Sequence, residues 1–149
     1  MRFLLIDKIL EYEKGKSAVG VKDVTMTEDF LADHFPKFPV MPGVLQLESV
    51  LQLVSWLVFV TKDFTVKTKV INIKGVKYSG FVRPGDKMII KVDITSIDDN
   101  GVEFKAKVFV DDKVKSSVKA GTLSFVNIEE LEDPEEAKAF FHMLTQTDK

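Results

Sequence analysis

The sequence contains no cysteine and only two histidines among its 149 residues. The absence of cysteine excludes disulfides, a thiolate nucleophile and metal sites built on sulfur. With so few histidines we expect no metal site, and no cofactor is predicted. The net charge is also small, because 21 Lys and Arg residues stand against 23 Asp and Glu, which gives −2. Since nucleic-acid phosphates are bound by basic surfaces, this balance argues against nucleic acid as a partner.

Long hydrophobic runs are equally rare. The one run of this kind, 44–60, contains Glu48 and two glutamines. A membrane span needs about 20 apolar residues and rarely holds an acid, so we expect the buried helix of a cytoplasmic protein and no membrane partner. The N-terminal apolar residues end at Asp7 and Lys8, too early for a signal peptide. With 45% hydrophobic and 30% charged residues, the composition is that of a folded globular domain.

Most of the chain outside that run shows the two-residue period of strands with one buried face. In 87–95, for example, apolar and polar residues alternate, and 102–110 repeats the alternation. Between these two runs, Asn100-Gly101 predicts a tight two-residue hairpin with positive φ at both positions. The period predicts about six antiparallel strands, which we place at 2–13, 16–24, 68–82, 87–95, 102–110 and 113–125.

Residues 44–60 follow the pair Pro42-Gly43 and contain no turn residue. Wrapped as a helix, their apolar side chains lie on all sides, which is typical of a helix buried in a core. The main polar residues, Glu48, Gln52 and Ser55, fall on one narrow stripe. The sequence therefore predicts an α+β fold in which a curved antiparallel sheet of about six strands wraps one long central helix.

The C-terminal segment differs in charge from the rest. Asp133-Pro134 has the pattern of a helix start, with the aspartate as N-cap and proline in the first turn. Residues 127–149 hold seven acids and two lysines, whereas 67–91 holds seven basic residues and one acid. We therefore divide the chain into a main domain, 1–126, and an acidic tail, 127–149, which forms a short solvated helix.

Three prolines between His34 and Gly43 restrict the backbone of this stretch and predict a stiff, extended loop just before the central helix. A neutral histidine can accept a proton, and the carboxyl of Glu48 can donate one. The first N–H groups of the helix, at Gly43 and Val44, are free to hold a carbonyl oxygen. A base, an acid and an oxyanion donor suit abstraction of a proton next to a carbonyl with loss of a β-hydroxyl.

Taken alone, these residues also have simpler interpretations. A histidine beside phenylalanine and proline is more often a packed loop residue than a base, and a glutamate in an apolar helix is more often part of an ion pair. The spacing by itself leaves both interpretations open.

The pattern H-F-P-x-x-P-x-M-P-G-V at 34–44, with Glu48 fourteen residues after the histidine and Gln52 four later, closely resembles the FabZ type of 3-hydroxyacyl-[acyl-carrier-protein] dehydratase. The likeness continues in F-L-L-I-D-K-I-L at 3–10, V-G-V-K-D-V-T at 19–25 and F-V-R-P-G-D at 81–86, and it covers roughly 3–125. That family has the hotdog fold, a long central helix wrapped by an antiparallel sheet, which agrees with the architecture predicted above.

The resemblance implies a function and a set of site residues. His34 would remove the C2 proton of a 3-hydroxyacyl thioester, and Glu48 would protonate the departing C3 hydroxyl. The substrate would be delivered by acyl carrier protein, and the site would lie between two protomers of a homodimer, three of which assemble further in many relatives. The implied substrate-binding residues are Phe35, Pro42, Gly43, Val44 and Gln52. The backbone N–H groups of Gly43 and Val44, at the start of the helix, would polarise the thioester carbonyl. The basic residues that we expect to dock the acidic carrier are Lys37, Lys74, Lys77, Arg83 and Lys87.

Some positions depart from the family pattern. Lys37 stands where the family usually has glycine, and Ser49 and Leu51 stand where it usually has alanine or other small or medium residues. Two other functions fit the same fold. One is a hotdog thioesterase, in which a helix acid directs water at the thioester and the loop from His34 to Gly43 has no role. The other is a hotdog protein that binds acyl chains without turnover.

Overall fold

The computed structural model describes residues 4–32, 34–35 and 37–146. Its elements are, in chain order, β1 (Lys8–Glu13), β2 (Ser17–Asp23), α1 (Gly43–Thr61), β3 (Val66–Tyr78), β4 (Lys87–Ile97), β5 (Gly101–Val110), β6 (Lys113–Asn127) and α2 (Pro134–Thr145). Two short 3₁₀ turns, Asp29–Leu31 and Ile128–Glu130, lie in the connections. This is the predicted α+β fold with one long and one short helix.

The six strands form one antiparallel sheet in the order β1-β2-β4-β5-β6-β3. Hairpins join β1 to β2, β4 to β5 and β5 to β6, and β3 pairs with β6 at the opposite edge from β1. Residue pairs such as Ile90 with Val108 place two apolar side chains opposite each other on the inner face. The alternating sequence therefore produces one buried face and one face that carries the charged residues.

Helix α1 lies against the inner face and contributes a large share of the core. Its second half is buried on all sides, with Leu53, Val54, Val58 and Phe59 fully enclosed. By length and composition α1 could cross a membrane, but more than half of its most apolar window is buried inside the protein, as in the core helix of a folded domain. The first turn is more open, and Val44 is 64% exposed.

The strands follow the predicted positions with shifted ends. The first predicted strand, 2–13, begins only at Lys8, and its residues 2 and 3 lie outside the described part of the chain. Leu4 to Ile6 instead form an extended segment tied to α1, because the N–H of Leu5 donates to Gln52 Oε1 at 2.9 Å. The third strand ends at Tyr78, not at 82, since Arg83 to Asp86 form a turn in which the Arg83 N–H donates to the Asp86 carboxylate.

The predicted positive-φ turn at Asn100-Gly101 is wrong. Neither residue has positive φ, and the Asp98 carboxylate instead accepts the N–H groups of Asn100 and Gly101 at 2.8 and 3.0 Å. These two hydrogen bonds stabilise the ionised form and lower the pKa of Asp98. Among the hairpin turns of the sheet, two consecutive positive φ values occur at Asp111 and Asp112, between β5 and β6.

Helix α2 begins as predicted, with the Asp133 side chain accepting the N–H of Glu135 and Pro134 in the first turn. It is not fully solvated, however. Ala137, Phe141 and Leu144, spaced three or four residues apart, are buried against the main core. The division of the chain at 126 stays a prediction, and residues 147–149 of the tail lie outside the described residues.

Candidate active site

His34 is held by the loop that precedes α1. Its ring Nδ1 lies 2.9 Å from the carbonyl oxygen of Val40, and its own carbonyl oxygen accepts the N–H of Val40 at 2.9 Å. Because a carbonyl oxygen only accepts, Nδ1 carries the proton and the neutral ring keeps a lone pair on Nε2. The loop is anchored in turn where the Met41 N–H donates to the Val82 carbonyl at 2.8 Å. The hydrogen bonds of the loop thus fix both the position of the His34 ring and its tautomer.

Phe35 packs directly on that ring. The two ring centroids are 4.3 Å apart and nearly parallel, and the peptide bond between His34 and Phe35 is cis. Half of Phe35 remains exposed. Phe38 extends the aromatic surface, since its ring meets Phe81 edge-on at 5.8 Å. Pro36 and Asp33, which belong to the same predicted loop, lie outside the described residues.

Glu48 lies on α1, on the polar stripe that also carries Gln52 and Ser55. The Gln52 amide group joins two parts of the chain: its Oε1 accepts the N–H of Leu5 at 2.9 Å, and its Nε2 donates to Glu48 Oε1 at 3.4 Å. The first of these bonds is short and the second is at the long limit for a hydrogen bond. Gln52 therefore orients the carboxyl weakly while fixing the N-terminal segment firmly.

A cavity of about 320 Å³ opens beside this stripe. Glu48 and Trp56 both line it and are eight residues apart, so it follows α1 for about 12 Å at 1.5 Å per residue. The carboxyl is the acidic group of the lining, and much of the remaining wall is apolar. The full lining consists of Leu4, Ile6, Glu48, Gln52, Ser55, Trp56, Lys67 and Phe140.

The N-terminus of α1 is uncapped. Pro42, the N-cap, supplies no side-chain acceptor, so the first N–H groups at Gly43 and Val44 point out of the helix with the positive end of its dipole. The ring of Tyr78 covers Gly43, where an added Cβ would lie 3.0 Å from a ring carbon. Partial burial raises the pKa of Tyr78, so its hydroxyl remains a donor at neutral pH. Glycine lets the ring lie this close without displacement.

The five basic residues predicted to dock the carrier, Lys37, Lys74, Lys77, Arg83 and Lys87, are all exposed. Arg83 is the one that the structure joins to the loop, because its guanidinium lies 4.3 Å from the ring centre of Phe38. It also lines a cavity of about 400 Å³ together with Lys113 and Lys115, which the sequence analysis did not single out. The basic surface next to the loop thus consists of Arg83, Lys113 and Lys115, and Asp86 and Asp111 line the same cavity.

Two groups of predicted residues are brought together within the chain: Glu48 with Gln52, and His34 with Phe35. Among the described residues, no hydrogen bond or ring contact joins His34 to Glu48. The sequence analysis missed Tyr78 and most of the cavity wall, including Trp56, Lys67 and Phe140. The aromatic residues in the tail were the one available signal, because apolar side chains at helical spacing in an acidic segment require a partner surface.

Comparison with known proteins places this arrangement in a defined class. The family model of the FabA-like domain matches residues 1–119, which include the loop, α1 and the paired strands. The solved structure of smu.793 from Streptococcus mutans, bound to acetyl-CoA, shares the fold with a TM-score of 0.66 and 13% identity, over 85% of this chain and 94% of that one. The protein is therefore a hotdog-fold protein with a FabA-like domain.

Sequence relatives define the family more narrowly. The chain is 39% identical over 129 residues to the 3-hydroxyacyl-[acyl-carrier-protein] dehydratase FabZ of Caldanaerobacter subterraneus subsp. tengcongensis, covering 86% of this chain and 89% of that protein. The same enzyme from Clostridioides difficile is 38% identical over 85% of this chain and 88% of its own length. The chain belongs to the FabZ family of 3-hydroxyacyl-[acyl-carrier-protein] dehydratases, hydro-lyases of fatty-acid biosynthesis.

A structural likeness to a thioesterase also exists. Thioesterase HI1161 from Haemophilus influenzae aligns with a TM-score of 0.59 at 13% identity, over 83% of this chain and 81% of that one. At this identity the likeness reports the hotdog fold alone. The sequence relatives, at about three times that identity, favour the dehydratase over the thioesterase considered from the sequence.

Proposed function

We propose that this protein removes water from (3R)-3-hydroxyacyl thioesters carried on acyl carrier protein and produces the trans-2-enoyl thioester, with His34 as base and Glu48 as acid. Nε2 of His34 takes the C2 proton, the electrons of that C–H bond form the C2=C3 double bond, and the C3–O bond breaks. Glu48 gives its proton to the departing hydroxyl, which leaves as water. The hydrogen bond from His34 Nδ1 to Val40 O is the observation that carries the proposal, because it leaves Nε2 as the proton acceptor.

The start of α1 polarises the thioester carbonyl. Removal of the C2 proton develops negative charge on the carbonyl oxygen, and donors aimed at that oxygen stabilise the transition state. The uncapped N–H groups of Gly43 and Val44 suit this role, since Pro42 offers them no acceptor. Phe35, half exposed beside the histidine ring, suits contact with the substrate.

A dimer accounts for the separation of base and acid. Within the part of the chain that the structure describes, no hydrogen bond or ring contact joins His34 to Glu48. The edge strand β3 exposes Val70 and Ile71 along its length. A long edge strand with exposed apolar residues pairs with another chain unless it is covered. We therefore propose that each site combines His34 of one protomer with Glu48 of its partner. Assembly of three such dimers stays a prediction.

The acyl carrier protein docks on the basic surface around Arg83. An acidic carrier protein would approach the loop there, with Lys37 on the loop itself and Lys113 and Lys115 on the far side of the cavity. Opposite charges guide association and fix orientation more than they raise affinity. The reaction is proposed to take place in the cytoplasm, in line with an α1 that is buried in the core.

A mixing experiment tests both the roles and the shared site. His34→Ala and Glu48→Gln should each lower kcat by about 10²–10⁴-fold, the usual effect of losing one acid–base group. If the two variants are co-expressed and pair at random, about half of the dimers are mixed and each mixed dimer has one intact site, so about one quarter of wild-type activity returns. Activity is followed with 3-hydroxybutyryl and crotonyl thioesters.

The controls separate the alternatives. Refolding the two variants separately and adding them without exchange should restore nothing. No recovery in the co-expressed sample would reject the shared site, and full activity in either single variant would reject the assigned roles. Release of free acid in place of the enoyl product would identify a thioesterase, and no turnover at all would identify a non-catalytic acyl-binding protein.

A further inference from the structure

The C-terminal helix lines the cavity beside Glu48 at the end that lies further along α1. Phe140 of α2 stacks on Trp56 of α1, with ring centroids 5.6 Å apart and an angle of 16° between the planes. Both residues line the cavity, and Trp56 lies about two turns of α1 beyond Glu48. An acyl chain that enters at Glu48 and follows α1 would therefore meet this stacked pair.

A lysine also contacts Trp56. Lys67 Nζ lies 4.1 Å from the centre of the indole ring and 5.3 Å from the ring centre of Phe59. The same ammonium group is 3.6 Å from Glu132, one residue before the N-cap of α2. This ion pair links the segment before the C-terminal helix to β3, so this part of the wall combines an ammonium group, an indole and a phenyl ring.

One residue of α2 anchors the helix and another lines the cavity. Phe141 is buried and meets Tyr12 and Phe64 edge-on at 5.5 and 5.9 Å, so it anchors the helix. Phe140 points its ring at Trp56 and remains partly exposed. Because the anchor and the wall use neighbouring but separate side chains, Phe140 can be truncated while the main packing of α2 is kept.

Helix α2, which supplies Phe140 to this wall, lies outside the part of the chain that the family model matches. The FabA-like match ends at residue 119, whereas α2 begins at Pro134. A cavity of about 320 Å³ is at the lower end of the range for small-molecule sites, about 300–1,000 Å³. We propose that Phe140 is the specificity-determining residue for acyl chain length, and that α2 limits the enzyme to short and medium chains. This inference rests on the proposed function of Glu48.

Removal of the Phe140 ring tests the inference. The ratio of kcat/KM for 3-hydroxydodecanoyl to that for 3-hydroxybutyryl thioester is measured in the wild type, Phe140→Ala and Phe140→Leu. Space for even one extra methylene is worth about 10–200-fold in discrimination, so Phe140→Ala should raise the ratio at least tenfold. Phe140→Leu keeps an apolar side chain on Trp56, which protects the fold, and should raise the ratio by less.

Met143→Ala is the matched control, because Met143 is an apolar residue of the same helix that is 58% exposed. General loosening of α2 would change kcat/KM for all substrates alike, in Met143→Ala as well as in the Phe140 variants. An unchanged ratio in both Phe140 variants, or an equal rise in Met143→Ala, overturns the inference. Failure of the proposed function is recognised separately, by full activity in Glu48→Gln or by no turnover in the wild type.

Discussion

Replacing Gly43 by alanine tests how closely Tyr78 covers the start of α1. The added Cβ would lie 3.0–3.2 Å from three carbons of the Tyr78 ring, closer than the about 3.5–4.0 Å at which carbon atoms attract most strongly. The ring has to move by a few tenths of an ångström, and it has room because Tyr78 is 48% exposed. Overpacking costs typically 1–3 kcal/mol in a closed core, so we expect about 1 kcal/mol here.

Alanine also makes a favourable contribution at this position. Gly43 has no positive φ, so alanine fits its backbone and restricts the unfolded chain, which stabilises by about 0.4–1 kcal/mol. In the wild-type background the two effects nearly cancel. In a Tyr78→Ala background only the favourable effect remains, so Gly43→Ala should stabilise the protein there. The double-mutant cycle should therefore give a coupling free energy of about 1 kcal/mol.

The free energies of unfolding are measured by urea denaturation, with Trp56 fluorescence as the signal. Equal m-values across the four proteins are required for the comparison. Phe81→Ala is the matched control, since Phe81 is another exposed aromatic residue beside the loop and does not cover Gly43. Should Gly43→Ala have the same effect with and without the Tyr78 ring, the close contact that we infer does not exist.

Two further substitutions test the core and the docking surface. In Gly121→Ala the new Cβ would lie 2.4 Å from two carbons of the buried ring of Phe104. Urea denaturation should therefore show that the free energy of unfolding falls by about 3 kcal/mol. A fall of less than about 0.5 kcal/mol would contradict this packing. Arg83→Glu should weaken binding of acyl carrier protein and reduce its salt dependence, measured by titration at two ionic strengths. The same charge change in Lys105→Glu, on the outer face of β5, should leave binding unchanged, and equal effects would remove Arg83 from the docking surface.

The sheet was predictable because alternation is a local property. Met88, Ile90 and Val92 occupy every second position, and all three are buried, as the two-residue period requires. The strand ends were less predictable, since they depend on side chains that compete for backbone groups. Asp98 is such a case: its carboxylate binds two N–H groups and replaces the expected turn at Asn100-Gly101.

The groups of the candidate site could be proposed from the sequence for a related reason. The residues of the family motif lie between His34 and Gln52, a single stretch in which prolines stiffen the loop and an apolar period marks the helix. What the stretch does not contain is the partner of each group. In the proposed dimer His34 reaches Glu48 only across two chains, and no local pattern encodes such an assembly.

The shape of the cavity was not predictable, because its wall comes from four separate parts of the chain. A lysine such as Lys67 is expected to be solvated, yet its ammonium group lies over Trp56 and is paired with Glu132. Phe140 reaches the same indole from a helix that begins after the last strand. Since none of these contacts touches His34 or the start of α1, the depth of the cavity can change without altering the proposed acid, base or carbonyl-binding groups. A C-terminal segment that folds back onto α1 is thus a simple way for a dehydratase of this family to acquire its own chain-length limit.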